Sequence, residues 1–295
     1  MTTTPPPAAH PATQVVTTFT GRRLSLVTPL HGGRSHTALL AYDATTGTPV
    51  VLKAGGDPLK IHHEARVLTA LAALPSTPCP QLVEASRIRM PHSRSPSQPC
   101  LVLRHIPGRH PRTPDDYRAL GVALALWHTT PTTTLRALTT SPTDLIRPAR
   151  SYAATTAPHL TQLLDAHVPL HAHSWAEPVL THGDAGPANT LVNRGRAVLL
   201  DCENSALAHP GLDLGRALFL TDLEEPTDQS SPSRIESLLS GYTSHRPLPD
   251  RLTQWMAAAG LGIAAWRRAH RARIDVPPPD EALARAEYWA RASPF

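Results

Sequence analysis

Cysteine is scarce in this chain: Cys79, Cys100 and Cys202 are the only three in 295 residues. None forms a C-x-x-C or C-x-H pair, which excludes a disulfide framework and a cysteine-built metal site, so reduced thiols are expected. Long apolar runs are also missing, and no segment reaches the roughly 20 residues of a membrane span. Residues 1–20 are rich in Thr, Pro and Ala but have neither a basic start nor an apolar h-region, so a disordered tail is expected rather than a secretory signal, on a cytoplasmic protein. Aromatics make up 4% of the chain. The densest basic stretch, residues 266–273, lacks the interleaved aromatics that stack bases. The net charge of +5 is therefore read as dispersed arginine on a solvated helix face, and nucleic acid is not the expected partner. Lysine is rarer still, with Lys53 and Lys60 the only two.

Proline is abundant instead, with 32 residues that mark many loops. Residues 90–99 read as a connection between two strands, and residues 129–176 as short helices broken by Pro and Thr. The hydrophobic fraction of 41% suffices for a substantial core in one bilobal unit or two domains. The 17 histidines include His62-His63 and the pair His171 and His173, in polar or Pro-rich surroundings that suggest surface positions. No internal repeat is visible.

Against this background one stretch carries chemistry. Residues 177–181 read as a short strand delivering His182-Gly183-Asp184 to a loop that Gly183 and Gly186-Pro187 keep from being helical. Asn189 follows five residues after Asp184, a strand begins at Thr190, the chain turns at 193–195, and the apolar run 197–200 ends on Asp201. The fold-back brings Asn189 and Asp201 to one end of a hairpin. Two hard oxygen donors at one place suit Mg²⁺, which takes few protein ligands besides phosphate and water. Phosphoryl transfer requires little else than an oriented hydroxyl, metal on the phosphates and nearby positive charge.

The combination of H-G-D, an Asn five positions on, a hairpin and the D-x-E of Asp201 to Glu203 resembles the aminoglycoside phosphotransferase and choline kinase-like family. The resemblance spans roughly residues 21 to 295. It implies an α+β, bilobal protein-kinase-like fold, with a small β-rich amino lobe at 21–105 and a larger, mainly helical carboxy lobe at 106–295. It implies that Asp184 orients or deprotonates the acceptor hydroxyl and that Asn189 and Asp201 hold the metals. His182 then packs beneath the catalytic loop. Asp213, in the run 209–215, ties that loop down through backbone hydrogen bonds, with helix N-capping as the alternative.

The amino-terminal half supplies the remaining parts in order. Lys53 ends the apolar strand 49–53, and Glu64 lies eleven residues on beside the apolar positions 61, 65, 68, 71 and 72, which have helical spacing. By the resemblance these two form the ion pair that positions the α- and β-phosphates. Gly33, Ser35 and His36, between strands at 24–30 and 38–42, match the family's short flap over the phosphates, although a Gly-Gly pair also favours a plain hairpin turn. Residues 100–108 look like the hinge, so Arg104 and Ile106 are expected beside the adenine. The helix 116–128 ends on His128, expected as a core or capping histidine. ATP, or GTP, and Mg²⁺ are the implied cofactors.

The acceptor is expected to be a small hydroxylated molecule, such as an antibiotic or a natural-product intermediate, which would make antibiotic resistance one role. The acidic residues 222–228 could face a polycationic acceptor or form a solvated loop, and the basic chain as a whole favours the loop. An anionic group on the substrate stays open. Two other readings remain: a kinase for Ser or Thr in a peptide precursor, and a non-catalytic pseudokinase scaffold. The aromatics Tyr242, Trp255, Trp266, Tyr288 and Trp289 are at helical spacing and are expected mostly in the core. Oligomeric state has no signature in the sequence.

Overall fold

The computed structural model describes residues 14–30, 37–74, 77–89, 97–132, 142–167, 178–224, 233–273 and 276–292. Two compact units divide the chain: Met1–Ala72 with Pro80–Ile106, and Ala73–Cys79 with Pro107–Phe295.

In the first unit six strands form one antiparallel sheet in the order β1-β2-β3-β4-β6-β5. They are β1 (Gln14–Thr17), β2 (Arg23–Pro29), β3 (Thr37–Asp43), β4 (Pro49–Ala54), β5 (Leu82–Ile88) and β6 (Gln98–Arg104). Apolar residues at every second position turn one face of β2 and β3 inward through Leu24, Leu26, Leu39 and Ala41. At the sheet centre Leu52 of β4 is paired with Val102 of β6, and both are fully buried. Helix α1 (Pro58–Ala72) buries Ile61, Ala65, Leu68 and Leu71, a three-and-four spacing that makes one apolar stripe, and packs on β5 and β6. Arg22 is bound by Asp43 and Glu84, which ties the start of β2 to the end of β3 and to β5.

The second unit is mainly helical. It contains α2 (Pro114–His128), α3 (Pro142–Thr156), α4 (Pro158–His167), α5 (Gly211–Glu224), α6 (Arg234–Thr243), α7 (Leu252–Ala269) and α8 (Pro279–Arg291). Two small antiparallel pairs accompany them: β7 (Val179–Thr181) with β10 (Ala206–Ala208), and β8 (Thr190–Asn193) with β9 (Arg196–Leu199). A capping box starts α2, with Thr113 and Asp116 satisfying each other's backbone N–H groups. Arg109 and the N–H groups of Arg112 and Thr113 also bind Asp116, and despite partial burial they hold its carboxyl down to about 2. Helices α2 and α6 approach closely: a Cβ on Gly121 would lie 2.0 Å from the Leu238 carbonyl, and one on Gly241 2.0 Å from that of Arg118. Only glycine permits this crossing.

Three expectations are corrected. Residues 142–156 form one fifteen-residue helix that continues through Pro148, not a short broken one. An interior proline costs about 3 kcal/mol, which burial of Ile146, Ala149, Tyr152 and Ala153 in the packing with α7 offsets. Asp222 is not in a solvated loop: α5 extends to Glu224, and Asp222 accepts a 2.8 Å bond from Trp289 Nε1 and lies 3.3 Å from Arg285. Nor do residues 1–20 form a tail throughout, because Gln14–Thr17 are strand β1, paired with β2, and Val16 and Thr18 are buried. The basic stretch is mostly exposed as expected, at Arg268, Arg271 and Arg273, with Arg267 donating to the Pro278 carbonyl and pairing with Glu281. Tyr242, Trp255 and Trp289 are buried as expected, whereas Tyr288 is exposed. His62 is at the surface; His171 and His173 lie outside the described residues. Among the described residues no helix is long and apolar enough to cross a membrane.

Candidate active site

In the first unit Lys53, the fifth residue of β4, pairs with Glu64 of α1. The strand turns the lysine inward and the helical stripe carries Glu64 with it, so that both are buried, at 8% and 2% exposure. A buried charge pair persists only with good geometry, because each charge has lost its water. Arg104 is the last residue of β6, its N–H donating to the Gln81 carbonyl at 2.9 Å, and Ile106 follows half-buried. Gly33, Ser35 and His36 lie outside the described residues.

In the second unit β7 delivers the loop that carries His182, Gly183 and Asp184. Gly183 has φ +82°, and a Cβ there would lie 2.2 Å from the Asn204 carbonyl, so another residue would displace the loop. A 3₁₀ turn, Pro187–Asn189, then leads into β8. Asn189 Nδ2 donates 2.8 Å bonds to both the Asp184 carbonyl and its Oδ2. At the base of the hairpin the Leu200 N–H donates to the Asn189 carbonyl at 2.8 Å, which sets Asn189 beside the residue before Asp201. These bonds set Asp184, Asn189 and the residue before Asp201 together at one end of the hairpin. Asp201 adopts a left-handed φ of +66°, a conformation that Asp tolerates better than most residues and that recurs at functional sites.

These residues also fit a hard divalent cation. Because the amide nitrogen of Asn189 is committed to Asp184, its amide oxygen is the remaining donor, and Asp201 adds a carboxylate; both are oxygen ligands of the kind Mg²⁺ takes.

Beneath the loop, Asp213 on the first turn of α5 accepts from the His182 N–H at 2.5 Å and the Gly183 N–H at 2.9 Å. Helix α5 begins at Gly211, so Asp213 ties the loop down and is not an N-cap. His128 Nε2 lies 3.1 Å from Asp213, and His128 Nδ1 2.9 Å from the Tyr242 hydroxyl. A carboxylate only accepts, so Nε2 carries a hydrogen. Burial opposes a charge on Asp213, but these donors outweigh it and hold its carboxyl below the ordinary range. Burial also pushes the His182 imidazole below its ordinary value, and the ring packs against Trp127 with centroids 5.2 Å apart.

Two functional candidates escape the sequence reading. Arg216 of α5 forms an ion pair with Asp184, and Tyr242 extends the support of Asp213. The signal for Arg216 was its position three residues after Asp213, on the same face of α5; nothing local marks Tyr242, which reaches His128 across 114 positions.

Residues 26–255 match the phosphotransferase enzyme family, APH. The chain belongs to that family and is a phosphotransferase with an alcohol group as acceptor. An amicoumacin kinase, hAmiN, solved with AMP-PNP, Ca²⁺ and Ami, is similar over 90% of this chain and 87% of its own, at 12% identity and a TM-score of 0.62. A choline/ethanolamine kinase family protein from Mesorhizobium loti is similar over 97% and 92%, at 16% identity and a TM-score of 0.63. A choline kinase from Cryptosporidium parvum Iowa II is similar over 90% and 88%, at 12% identity and a TM-score of 0.58. These likenesses establish the protein-kinase-like fold expected from the sequence. No curated protein matches the sequence.

Proposed function

We propose that the chain is an ATP- and Mg²⁺-dependent O-phosphotransferase acting on a small hydroxylated molecule, an antibiotic or a natural-product intermediate. What supports this reading is the bond from Asn189 Nδ2 to Asp184 and that from the Leu200 N–H to the Asn189 carbonyl, which bring Asp184, Asn189 and the residue before Asp201 to one end of the β8–β9 hairpin. Asp184 takes the proton from the acceptor hydroxyl as its oxygen bonds to the γ-phosphorus, while the bond from that phosphorus to the β,γ-bridging oxygen breaks and ADP leaves. Asn189 and Asp201 hold Mg²⁺, which when bound offsets phosphate charge. In the first unit Lys53, steadied by Glu64, binds the α- and β-phosphates, and the main chain near Arg104 and Ile106 binds the base. This assigns residues 21–105, together with strand β1 (Gln14–Thr17) that pairs with β2, to a nucleotide-binding lobe and 106–295 to a carboxy lobe with the acceptor site. It also places the protein in the cytoplasm, where ATP and Mg²⁺ are plentiful.

The test is the melting temperature with ATP or GTP, with and without Mg²⁺, for wild type and Asp201→Ala, followed by mass spectrometry of an antibiotic and metabolite panel. Stabilisation that needs Mg²⁺ and Asp201, together with a product heavier by one phosphoryl group, is expected. Nucleotide binding with no transfer to any acceptor would favour a non-catalytic scaffold instead.

A further inference from the structure

Within the second unit, behind Gly183, lies a cavity of about 60 Å³. Its wall is formed mainly by small or flat side chains, Ala149 of α3 with Trp255, Ala258 and Gly262 of α7, and one basic group, Arg216 of α5. The guanidinium of Arg216 pairs with Asp184, while its Nε is buried with no hydrogen-bond partner. Asp213 also lines the cavity, but its two oxygens already accept from His182, Gly183 and His128. Elsewhere in the unit, Asp222 is held by Trp289 and Arg285, Glu281 by Arg267, and Asp116 by Arg109. Beside Asp184 an acceptor therefore meets a guanidinium that is paired with Asp184 and keeps an unused Nε donor.

We propose that Arg216 selects acceptors carrying an anionic group, a carboxylate or a phosphate, close to the hydroxyl that is phosphorylated. The anion takes the guanidinium's open donors, the pair of shared chemistry being N–H to oxygen in either case, and a slim apolar portion enters the cavity between α3 and α7. An ammonium set against the guanidinium gains no such bond and is disfavoured relative to the anion. This proposal rests on the phosphotransferase reading above and names its substrate class.

The experiment uses matched sets of hydroxy acids, hydroxyalkyl phosphates, hydroxy amides and amino alcohols on one carbon skeleton. Binding is measured by calorimetry in the presence of AMP-PNP and Mg²⁺, and transfer is measured with ATP, for wild type, Arg216→Gln and Arg216→Lys. Wild type is expected to bind one or both anionic members at least tenfold more tightly than the amide, and the amino alcohol most weakly. The acid and phosphate arms show which anion is meant. Arg216→Gln is expected to erase the preference mainly through KM, and Arg216→Lys to restore part of it. Equal or better binding of the amide or amino alcohol by wild type overturns the proposal whether or not a variant folds, as does a preference that survives in Arg216→Gln. If the anion preference is present in binding but no member is phosphorylated, the selectivity stands and the proposed transfer fails.

Discussion

Lys53 and Asp213 show how single side chains hold the chemistry in place. Each is buried, and each depends on its partners to remain charged. Replacing Glu64 by Gln leaves Lys53 buried beside a neutral amide. A loss of about 3 kcal/mol is expected, with weaker ATP binding, measured by urea unfolding and calorimetry; unchanged values would mean that the pair adds nothing to either. Asp213→Asn brings an amide nitrogen towards the N–H groups of His182 and Gly183, so one bond becomes a donor–donor clash. A loss of about 1–3 kcal/mol and at least tenfold slower turnover with ATP affinity nearly kept is predicted, since the loop and not the nucleotide site is disturbed. The site was legible from sequence where spacing is local. The five-residue step from Asp184 to Asn189 and the hairpin to Asp201 are short enough for turn chemistry to dictate them, whereas the Arg216–Asp184 pair joins a loop to a helix face whose rotation only packing fixes.

Among the elements, α2 and α6 meet through glycines, and this contact carries the loop's support because His128 ends α2 and Tyr242 lies in α6. Gly121→Ala would place a methyl against the Leu238 carbonyl. A cost of about 1–3 kcal/mol is expected, together with reduced turnover as His128 and Tyr242 separate, checked by thermal melting alongside kinetics; wild-type values in both would show that the helices can part freely. Strands were readable from alternating apolar residues and turn signals, and α1 and α2 from their three-and-four spacing. The long α3 was not, because Pro148 reads as a breaker and its tolerance comes from burial against α7, a tertiary effect with no local trace. The extension of α5 to Glu224 likewise depends on Trp289 and Arg285 of α8, which engage Asp222.

For the whole molecule, histidines withdrawn from water, His182 fully and His209 in part, make stability depend on pH. His209 stacks on Trp255 at 4.7 Å and accepts a bond from the Gly211 N–H; burial lowers it to about 4. His182 is lowered as well. Below the ordinary histidine value of 6.5 the unfolded chain takes up protons that these rings refuse in the folded state, so stability falls as pH drops from 6.5 towards 4. The depressed carboxyls of Asp213 and Asp116 act lower: their contribution is present above 3.8 and is lost as pH falls further, towards about 2 for Asp116. Urea midpoints should therefore decline in two stages, and His209→Gln should flatten the upper one; a profile level between 6.5 and 4 would contradict this. The central claim is that Asp184 acts on the acceptor hydroxyl, and the most direct measurement is the rate of phosphoryl transfer by Asp184→Asn, with its melting temperature and ATP affinity measured on the same sample. A folded, nucleotide-binding variant slowed by about 10²-fold or more is predicted, and one that transfers at the wild-type rate would contradict the account.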